Sequence, residues 1–317
     1  MNHEFYMRRC LQLARQGRQN AKPNPMVGAV IVAPDGRIIG EGYHARCGEG
    51  HAEVNAFASV RDEDGRMLSK STMYVSLEPC SHYGRTPPCA DLIISKNIKH
   101  VVVGCVDPFA KVEGRGIKKM RDAGIEVTVG VLEKECLELN RRFITFNTKK
   151  RPYITLKWCK SADGFLDDHF KPAMLSTSFT RMLTHKLRAE NDAILVGRIT
   201  AERDKPKLDV RHWYGPSPMR IVLDSSKPFC KEADFSKPVI PQLTDYLYAK
   251  GIQSLLVEGG SDTHRRFIEA GMWDEIRVET STKSTGGGTP TPILPQDAIL
   301  KSCNEYDGNI ITLYRKR

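Results

Sequence analysis

No stretch of the 317-residue chain approaches the roughly 18 uninterrupted apolar residues that a membrane-spanning helix needs. The opening segment, MNHEFYMRRC, has no apolar centre, so no secretory leader is expected. Cysteine is sparse and odd in number, nine in all, which argues against a paired disulfide framework and for a reducing, cytoplasmic setting. No dense Lys/Arg block and no aromatic-basic strip is present. The net charge of +10 is spread, +6 over residues 1–150 and +4 beyond. That pattern suits an anionic small molecule such as a phosphate and disfavours a nucleic-acid partner. There is no internal repeat, no low-complexity tract and no G-x-G-x-x-G after a strand, so a Rossmann site has no support. These absences remove membrane, fibrous and disordered classes. What is present is 40% hydrophobic residues in a length that suits two domains.

Periodicity predicts alternating elements. Residues 3–18 read as a helix that AKPNP ends. MVGAVIVAPDGRIIGEGYH reads as a hairpin around Pro34-Asp35-Gly36. Helix-like HAEVNAFASV, CADLIISKN and GRGIKKMRDAG then alternate with strand-like TMYVSL, HVVVGCV and IEVTVGV, implying an α/β layered sandwich with parallel strands. LEKECLELNRRFITFNTKK, residues 132–150, reads as one long amphipathic helix and a natural boundary before Arg151-Pro152. Beyond it YITLKWC, DAILVG, PMRIVLDSS, SLLVEGG, DEIRVET and NIITLYR read as strands. FTRMLTHKLRAE and DTHRRFIEAG read as helices and GGGTPTP as a loop, giving a second α/β domain.

The strongest chemical signal is His51-Ala52-Glu53, followed by Pro79-Cys80 and Cys89. One imidazole and two thiolates fill three positions of a zinc site and leave the fourth for water, the pattern of a catalytic metal. Glu53, two residues after His51, can reach that water without being a ligand and carry its proton to a leaving amine. Pro79 before Cys80 and Pro87-Pro88 before Cys89 place the cysteines at helix starts, which favour thiolates. Each residue singly reads more readily as a satisfied histidine or a buried thiol. The four in order match the H-x-E…P-C…C arrangement of zinc nucleobase deaminases. Cys10, Cys47, Cys105 and Cys136 have no ligand spacing and read as ordinary thiols. Asn24 lies between two prolines and fits either a pyrimidine edge or a turn. His82, Arg85 and Thr86 fit either a ribose phosphate or an exposed loop, and Lys111 and Arg115 read best as a solvated helix start.

The eight-residue gap in CSHYGRTPPC departs from the C-x-x-C of many deaminases. HAE…EPCSHYGRTPPCADLII, with NPMVGAVIV upstream and VDPF…GRGI downstream, resembles the deaminase domain of the bifunctional riboflavin-biosynthesis deaminase/reductases, over residues 1–146. The resemblance implies a cytidine-deaminase-like three-layer α/β/α domain, zinc ligands His51, Cys80 and Cys89, and catalytic Glu53. It also implies a substrate, 2,5-diamino-6-(5-phosphoribosylamino)pyrimidin-4-one, that loses its ring amino group as ammonia.

In the second half, strand–Gly259-Gly260-Ser261–helix lets backbone N–H groups approach a phosphate, and DAILVG leads to Arg198 and Thr200 at another strand end. RPYITLKWCKSADGF, LRAENDAILVGRIT, PKLDVR, PMRIVLDSS and LLVEGGS together resemble the reductase domain of the same family, of dihydrofolate-reductase-like fold, over residues 151–317. The resemblance implies NADPH contacts at Lys160, Thr200, Asp204, Ser225, Gly260, Ser261, Asp262, Thr263, His264, Arg265 and Arg266. It implies substrate contacts at Arg188, Leu208, Arg211 and Glu258, hydride transfer to C1′ of the ribosylamine, and a homo-oligomer, dimer or tetramer. Arg188 and Arg211 suit phosphate oxygens chemically, whereas Asp163 fits the reacting sugar or a turn equally. Three departures stand out. Pro172-Ala173-Met174-Leu175-Ser176 replaces the family's Ser-x-Trp-Ile-Thr, Lys205 replaces an acid after Asp204, and the domain is shortened between Asp224 and Gln242 and around residues 281–300. They keep open a second reading, a deaminase whose C-terminal half binds phospho-sugar without redox activity.

Overall fold

The computed structural model describes residues 2–83, 87–108 and 114–317, and the chain divides into two compact units, Met1–Lys149 and Lys150–Arg317.

In the first unit, α1 (His3–Ala14) is capped by Asn2, whose side chain accepts the Phe5 N–H at 3.2 Å. β1 (Gly28–Val32) and β2 (Ile38–Tyr43) form the expected hairpin. Then come α2 (Ala52–Ala58), β3 (Thr72–Val75), α3 (Cys89–Ser95), β4 (His100–Val103), α4 (Arg115–Asp122), β5 (Glu126–Val129), α5 (Glu133–Leu139) and α6 (Arg141–Lys149). The sheet order is β2-β1-β3-β4-β5. The sheet is mixed rather than parallel throughout: β1 runs antiparallel to both neighbours, and β3, β4 and β5 run parallel. Every residue of β1 is buried, and the two-residue alternation splits its side chains between two cores. Ala29 and Ile31 face Ala52, Ala56, Ile93 and Met120 from α2, α3 and α4. Val30 and Val32 face Met7, Leu11, Cys136 and Leu139 from α1 and α5. Two apolar faces on one sheet give the three-layer sandwich. The glycines of β2 set the distance of one layer: a Cβ on Gly42 would run into the backbone of Ala52 and Ala56, so α2 lies directly on the strand.

The helix expected over 132–150 is two helices. The break is at Asn140, 2% exposed, whose Oδ1 accepts the Met26 N–H at 2.8 Å while its Nδ2 donates to the Met26 carbonyl at 2.9 Å. A side-chain amide turned onto another segment's backbone competes with helix continuation, and here it wins.

The second unit contains β6 (Tyr153–Lys160), α7 (Ser178–Ala189), β7 (Ala193–Gly197), α8 (Arg198–Asp204), β8 (Met219–Leu223), α9 (Val239–Ala249), β9 (Ser254–Val257), α10 (Ser261–Glu269), β10 (Glu275–Thr280), β11 (Ala298–Tyr306) and β12 (Asn309–Lys316). The sheet order is β11-β12-β10-β6-β9-β7-β8. The five strands from β10 to β8 are parallel, and β12 and β11 close one side antiparallel. Leu156, Leu195, Leu255, Phe267, Trp273 and Ile276 form its main core. Three elements were not anticipated. α8 lies where polar residues suggested a loop. α9 carries Pro241 in its first turn, where the missing N–H has no helical partner to lose. β11 is a mostly solvent-facing edge strand with little apolar alternation.

Candidate active sites

In the first unit, His51 is the N-cap of α2 and Glu53 lies in the helix's first turn. Asn55, one turn on, donates to the Tyr43 and Gly50 carbonyls at 2.8 and 3.1 Å, fixing the helix start on β2. Cys89 opens α3, and its backbone N–H donates to Cys80 Sγ at 3.3 Å. His51 Nδ1 lies 3.6 Å from Cys80 Sγ and 3.3 Å from Cys89 Sγ, and the three atoms all lie within 4.8 Å of one another. Tetrahedral zinc with bonds of about 2.0–2.3 Å holds nitrogen and sulfur at such separations, so this donor set fits the ion, with three protein ligands and one open position.

The electrostatics suit one thiolate and one thiol, so zinc would have to displace the Cys89 proton. The Cys89 thiol bonded to Cys80 holds Cys80 down to about 4, and the same bond with burial pushes Cys89 up. Glu53 is 3% exposed, and burial, with the Cys80 charge beside it, pushes its carboxyl up to about 7. A carboxyl near neutrality both takes and gives a proton.

Two contributors were not visible in the sequence. His44 packs edge-on to His51 at 5.3 Å between centroids, with Nδ1 3.1 Å from the Gly50 carbonyl and Nε2 3.1 Å from Asn24 Nδ2. The pattern requires Nδ1 to carry the proton and Nε2 to accept from the Asn24 amide. Asn24, singled out from sequence, is thus oriented by His44. Glu78, two residues before Cys80 and 4% exposed, accepts four backbone N–H groups. They come from Gly114 at 2.9 Å and Asp107 at 3.3 Å on one oxygen, and from Gly116 at 2.9 Å and Ile117 at 3.2 Å on the other. It binds the ligand-bearing loop to the start of α4. The only sequence signal was its place in Glu-Pro-Cys. His82 and Arg115 are exposed, while Arg85, Thr86 and Lys111 lie outside the described residues.

In the second unit, the sequence-selected residues gather at the carboxyl ends of four adjacent parallel strands. Lys160 ends β6, Glu258 and Gly260 follow β9, Thr200 lies in α8 after β7, and Ser225 follows β8. This is the edge where open α/β sheets bind ligands. Gly260 is the N-cap of α10, and a Cβ there would sit 3.5 Å from Thr200 Oγ1, so the β7 and β9 loops meet. A Cβ on Gly197 or Gly259 would collide with Thr263, so this close approach needs glycine. A phosphate-bearing dinucleotide fits these backbone amides. Ser261, Asp262 and Thr263 form the first turn of α10. Asp262 pairs with Arg265 and Arg266, the latter at 2.8 Å, and Arg265 also pairs with Glu269 at 2.8 Å. The His264 side chain is fully buried, its ring nitrogens facing the Gly260 and Val257 carbonyls at 3.1 and 3.2 Å. Burial pushes it down to about 4. Asp204 accepts the Arg203 Nε–H at 2.9 Å, and Arg203 also reaches Asp167 at 2.9 Å.

A cavity of about 230 Å³ opens beside this edge, lined by Lys157, Arg181, His185, Arg188, Arg211 and Glu258 among others. Arg188 and Glu258 form a bidentate pair at 3.0 and 2.7 Å, each side chain only 11% exposed. Arg211 pairs with Asp209. Leu208, 4% exposed, packs with Leu187, Val196 and Leu256. Among the departures, Met174 is 62% exposed at the cavity wall and Lys205 closes α8 in a left-handed conformation, φ 42°. Asp163 accepts the Thr285 and Gly286 N–H groups at 3.2 and 2.8 Å, a loop-fixing role.

Residues 1–105 match the family described as the cytidine and deoxycytidylate deaminase zinc-binding region, and residues 152–310 match the RibD C-terminal domain. Fold and sites thus define a bifunctional enzyme, a zinc deaminase domain joined to a dihydrofolate-reductase-like reductase domain. The chain is 40% identical to riboflavin biosynthesis protein RibD of Aquifex aeolicus, over 89% of this chain and 88% of that protein. It is 35% identical to RibD of Escherichia coli K12, over 90% and 89%. The diaminohydroxyphosphoribosylaminopyrimidine deaminase/5-amino-6-(5-phosphoribosylamino)uracil reductase of Thermotoga maritima superposes with a TM-score of 0.88 at 35% identity, covering 99% of each chain. The chain belongs to the RibD family of riboflavin biosynthesis proteins. Among the described residues no helix is long and apolar enough to cross a membrane.

Proposed function

We propose that residues 1–146 deaminate diaminohydroxyphosphoribosylaminopyrimidine and that residues 151–317 reduce the product, 5-amino-6-(5-phosphoribosylamino)uracil, with NADPH. The observation that carries the first step is the convergence of His51, Cys80 and Cys89 around one point with buried Glu53 beside it. Zinc bound there would supply a water of lowered pKa. His51, Cys80 and Cys89 hold the ion. Glu53 takes a proton from the attacking water and delivers it to the ring amino group, which leaves as ammonia. Asn24, aimed by His44, meets the pyrimidine edge.

For the second step, NADPH would supply the hydride that reduces C1′ of the ribosylamine to a ribityl chain. The backbone from Gly260 to Arg266, with Lys160, Thr200, Asp204 and Ser225, holds the cofactor along the strand ends. Arg188 and Arg211 take the substrate phosphate, while Glu258 fixes the Arg188 guanidinium through two bonds. His264 supports the start of α10 rather than touching the cofactor, since its ring is turned inward and its backbone N–H is donated to the Gly260 carbonyl at 3.2 Å. The protein's share of catalysis is alignment of the two carbons. The enzyme works in the cytoplasm as a homo-oligomer, dimer or tetramer, on a small phosphorylated pyrimidine rather than on nucleic acid.

A coupled assay on purified protein tests this reading. The diaminopyrimidine substrate is supplied with and without NADPH, ammonia and NADPH absorbance are followed separately, and zinc is quantified on the same sample. Ammonia together with NADPH consumption is expected. Ammonia alone would favour a redox-silent C-terminal half and turn attention to Met174 and Lys205.

A further inference from the structure

We propose that His185 is a positioning residue for the reductase half: it holds the Leu208–Arg211 segment so that Arg211 and Arg188 face one substrate phosphate together. The inference rests on the reductase reading above. His185 lies on α7 one turn before Arg188, 2% exposed, and both line the cavity with Arg211. Two hydrogen bonds cross from α7 to the segment. Arg188 Nη1 donates to the Asp209 carbonyl at 3.2 Å, and the Arg211 backbone N–H donates to His185 Nδ1 at 3.2 Å.

The segment needs such holding. Leu208 adopts φ 51°, a left-handed conformation that a branched aliphatic residue takes only when its surroundings impose it. The Asp209 carboxylate then takes the Arg211 guanidinium, so the backbone position of residues 209–211 decides where that charge points. An imidazole that accepts at Nδ1 must be neutral there, because a protonated ring would set N–H against N–H. Burial pushes His185 down to about 4, assisted by Arg188 on its own helix and by Arg211 and His212 from the segment, with Asp209 opposing. The edge-on His212 ring, 4.7 Å away, fixes the imidazole plane. Both guanidiniums are thus located before substrate arrives, the condition for recognising a phosphate without first ordering a loop.

The test is a pair of near-isosteric variants in the full-length, zinc-loaded enzyme. His185→Asn keeps an acceptor where Nδ1 lies; His185→Gln carries its amide out to the Nε2 position and does not. Reduction of 5-amino-6-(5-phosphoribosylamino)uracil is followed by NADPH consumption, with deamination on the same preparation as internal control. For His185→Gln, KM for the uracil should rise about tenfold, the equivalent of one lost hydrogen bond, with kcat little changed, while His185→Asn should stay within about threefold of the unaltered enzyme. Identical KM values for the two variants would overturn the assignment, as would a fall in kcat at constant KM, which would place His185 at the reacting carbon. Arg211→Ala separates the levels. If it raises KM and His185→Gln does not, positioning by His185 is wrong and the phosphate reading stands. If Arg211→Ala also leaves KM unchanged, the phosphate reading itself fails.

Discussion

Replacing Glu78 by glutamine removes one oxygen from a carboxylate that receives four backbone N–H groups, two on each oxygen. The glutamine oxygen can still serve one pair. Its NH2 group then faces the other pair donor to donor, and the site is 4% exposed, so water cannot repair the mismatch. Hydrogen bonds to a charged group are worth about 1.5–3 kcal/mol each, so losing two costs the first unit about 3 kcal/mol or more. For a unit of this size that corresponds to a fall of about 6–12 °C in its melting temperature. The loss falls on the loop that carries Cys80 and on the start of α4, and Gly116 packs directly against the Pro79 carbonyl there. Calorimetry should therefore show the first unit's transition moved down and the second's unmoved, with weakened zinc retention and reduced ammonia release. NADPH-dependent reduction of added 5-amino-6-(5-phosphoribosylamino)uracil should persist. An unchanged first transition with full ammonia release would refute the reasoning, because it would mean that the four bonds carry no net energy.

Glu53→Gln should lower ammonia release by about 10²–10⁴-fold with zinc retained, whereas Cys80→Ser should lose the metal; metal analysis beside the activity assay separates a proton carrier from a ligand. Asp167, 1% exposed, accepts Thr289 N–H and Oγ–H at 2.8 and 2.6 Å, Phe170 N–H at 3.1 Å and Arg203 Nη1–H at 2.9 Å, so it fixes the helix that bears Thr200 and Asp204. Asp167→Asn should raise KM for NADPH and leave deamination unaltered; an unchanged KM would detach that helix from the cofactor. His264 binds its proton less tightly in the folded chain, near 4, than in the unfolded chain, near 6.5. The unfolded state therefore takes up the proton first, and the stability this ring contributes is present above 6.5 and lost as pH falls from 6.5 towards 4. Urea unfolding of the second unit over that range should show the decline, and His264→Gln should make it shallower, His185, also held near 4, supplying the remainder.

The candidate zinc ligands were legible because each sits in a short recognisable motif, although His51 lies 29 and 38 positions from Cys80 and Cys89. His51 caps the helix that bears Glu53 two residues on, and Cys89 opens another helix after two prolines. Cys80, expected at a helix start, lies instead in irregular chain ahead of α3. Glu78 and His44 were not legible, because what they do is defined by partners far along the chain or by backbone groups that carry no side-chain signature. The strands were readable where burial on both faces enforced a continuous apolar run, as in β4, β7 and β9. The pattern failed at α8, which has no buried residue, and at β11, which lies largely in solvent, while α9 was hidden despite its buried face because Pro238 and Pro241 read as a break. The break between α5 and α6 was hidden because the helical pattern continues through it and the cause, Met26, is 114 positions away. In the second unit the structure gathers many of the expected residues at one sheet edge, but orientations such as the inward ring of His264 had no sequence signal.

That same pairing of Asn140 with Met26 has a meaning for how the protein is made. The backbone it fixes lies two residues from Asn24, the residue proposed to meet the pyrimidine. A chain still being translated cannot lock this segment until residue 140 has left the ribosome. The deamination pocket thus becomes complete only as its last helices emerge. By then the coding for the zinc site has long been read, and synthesis of the second unit has begun behind an already closing first one.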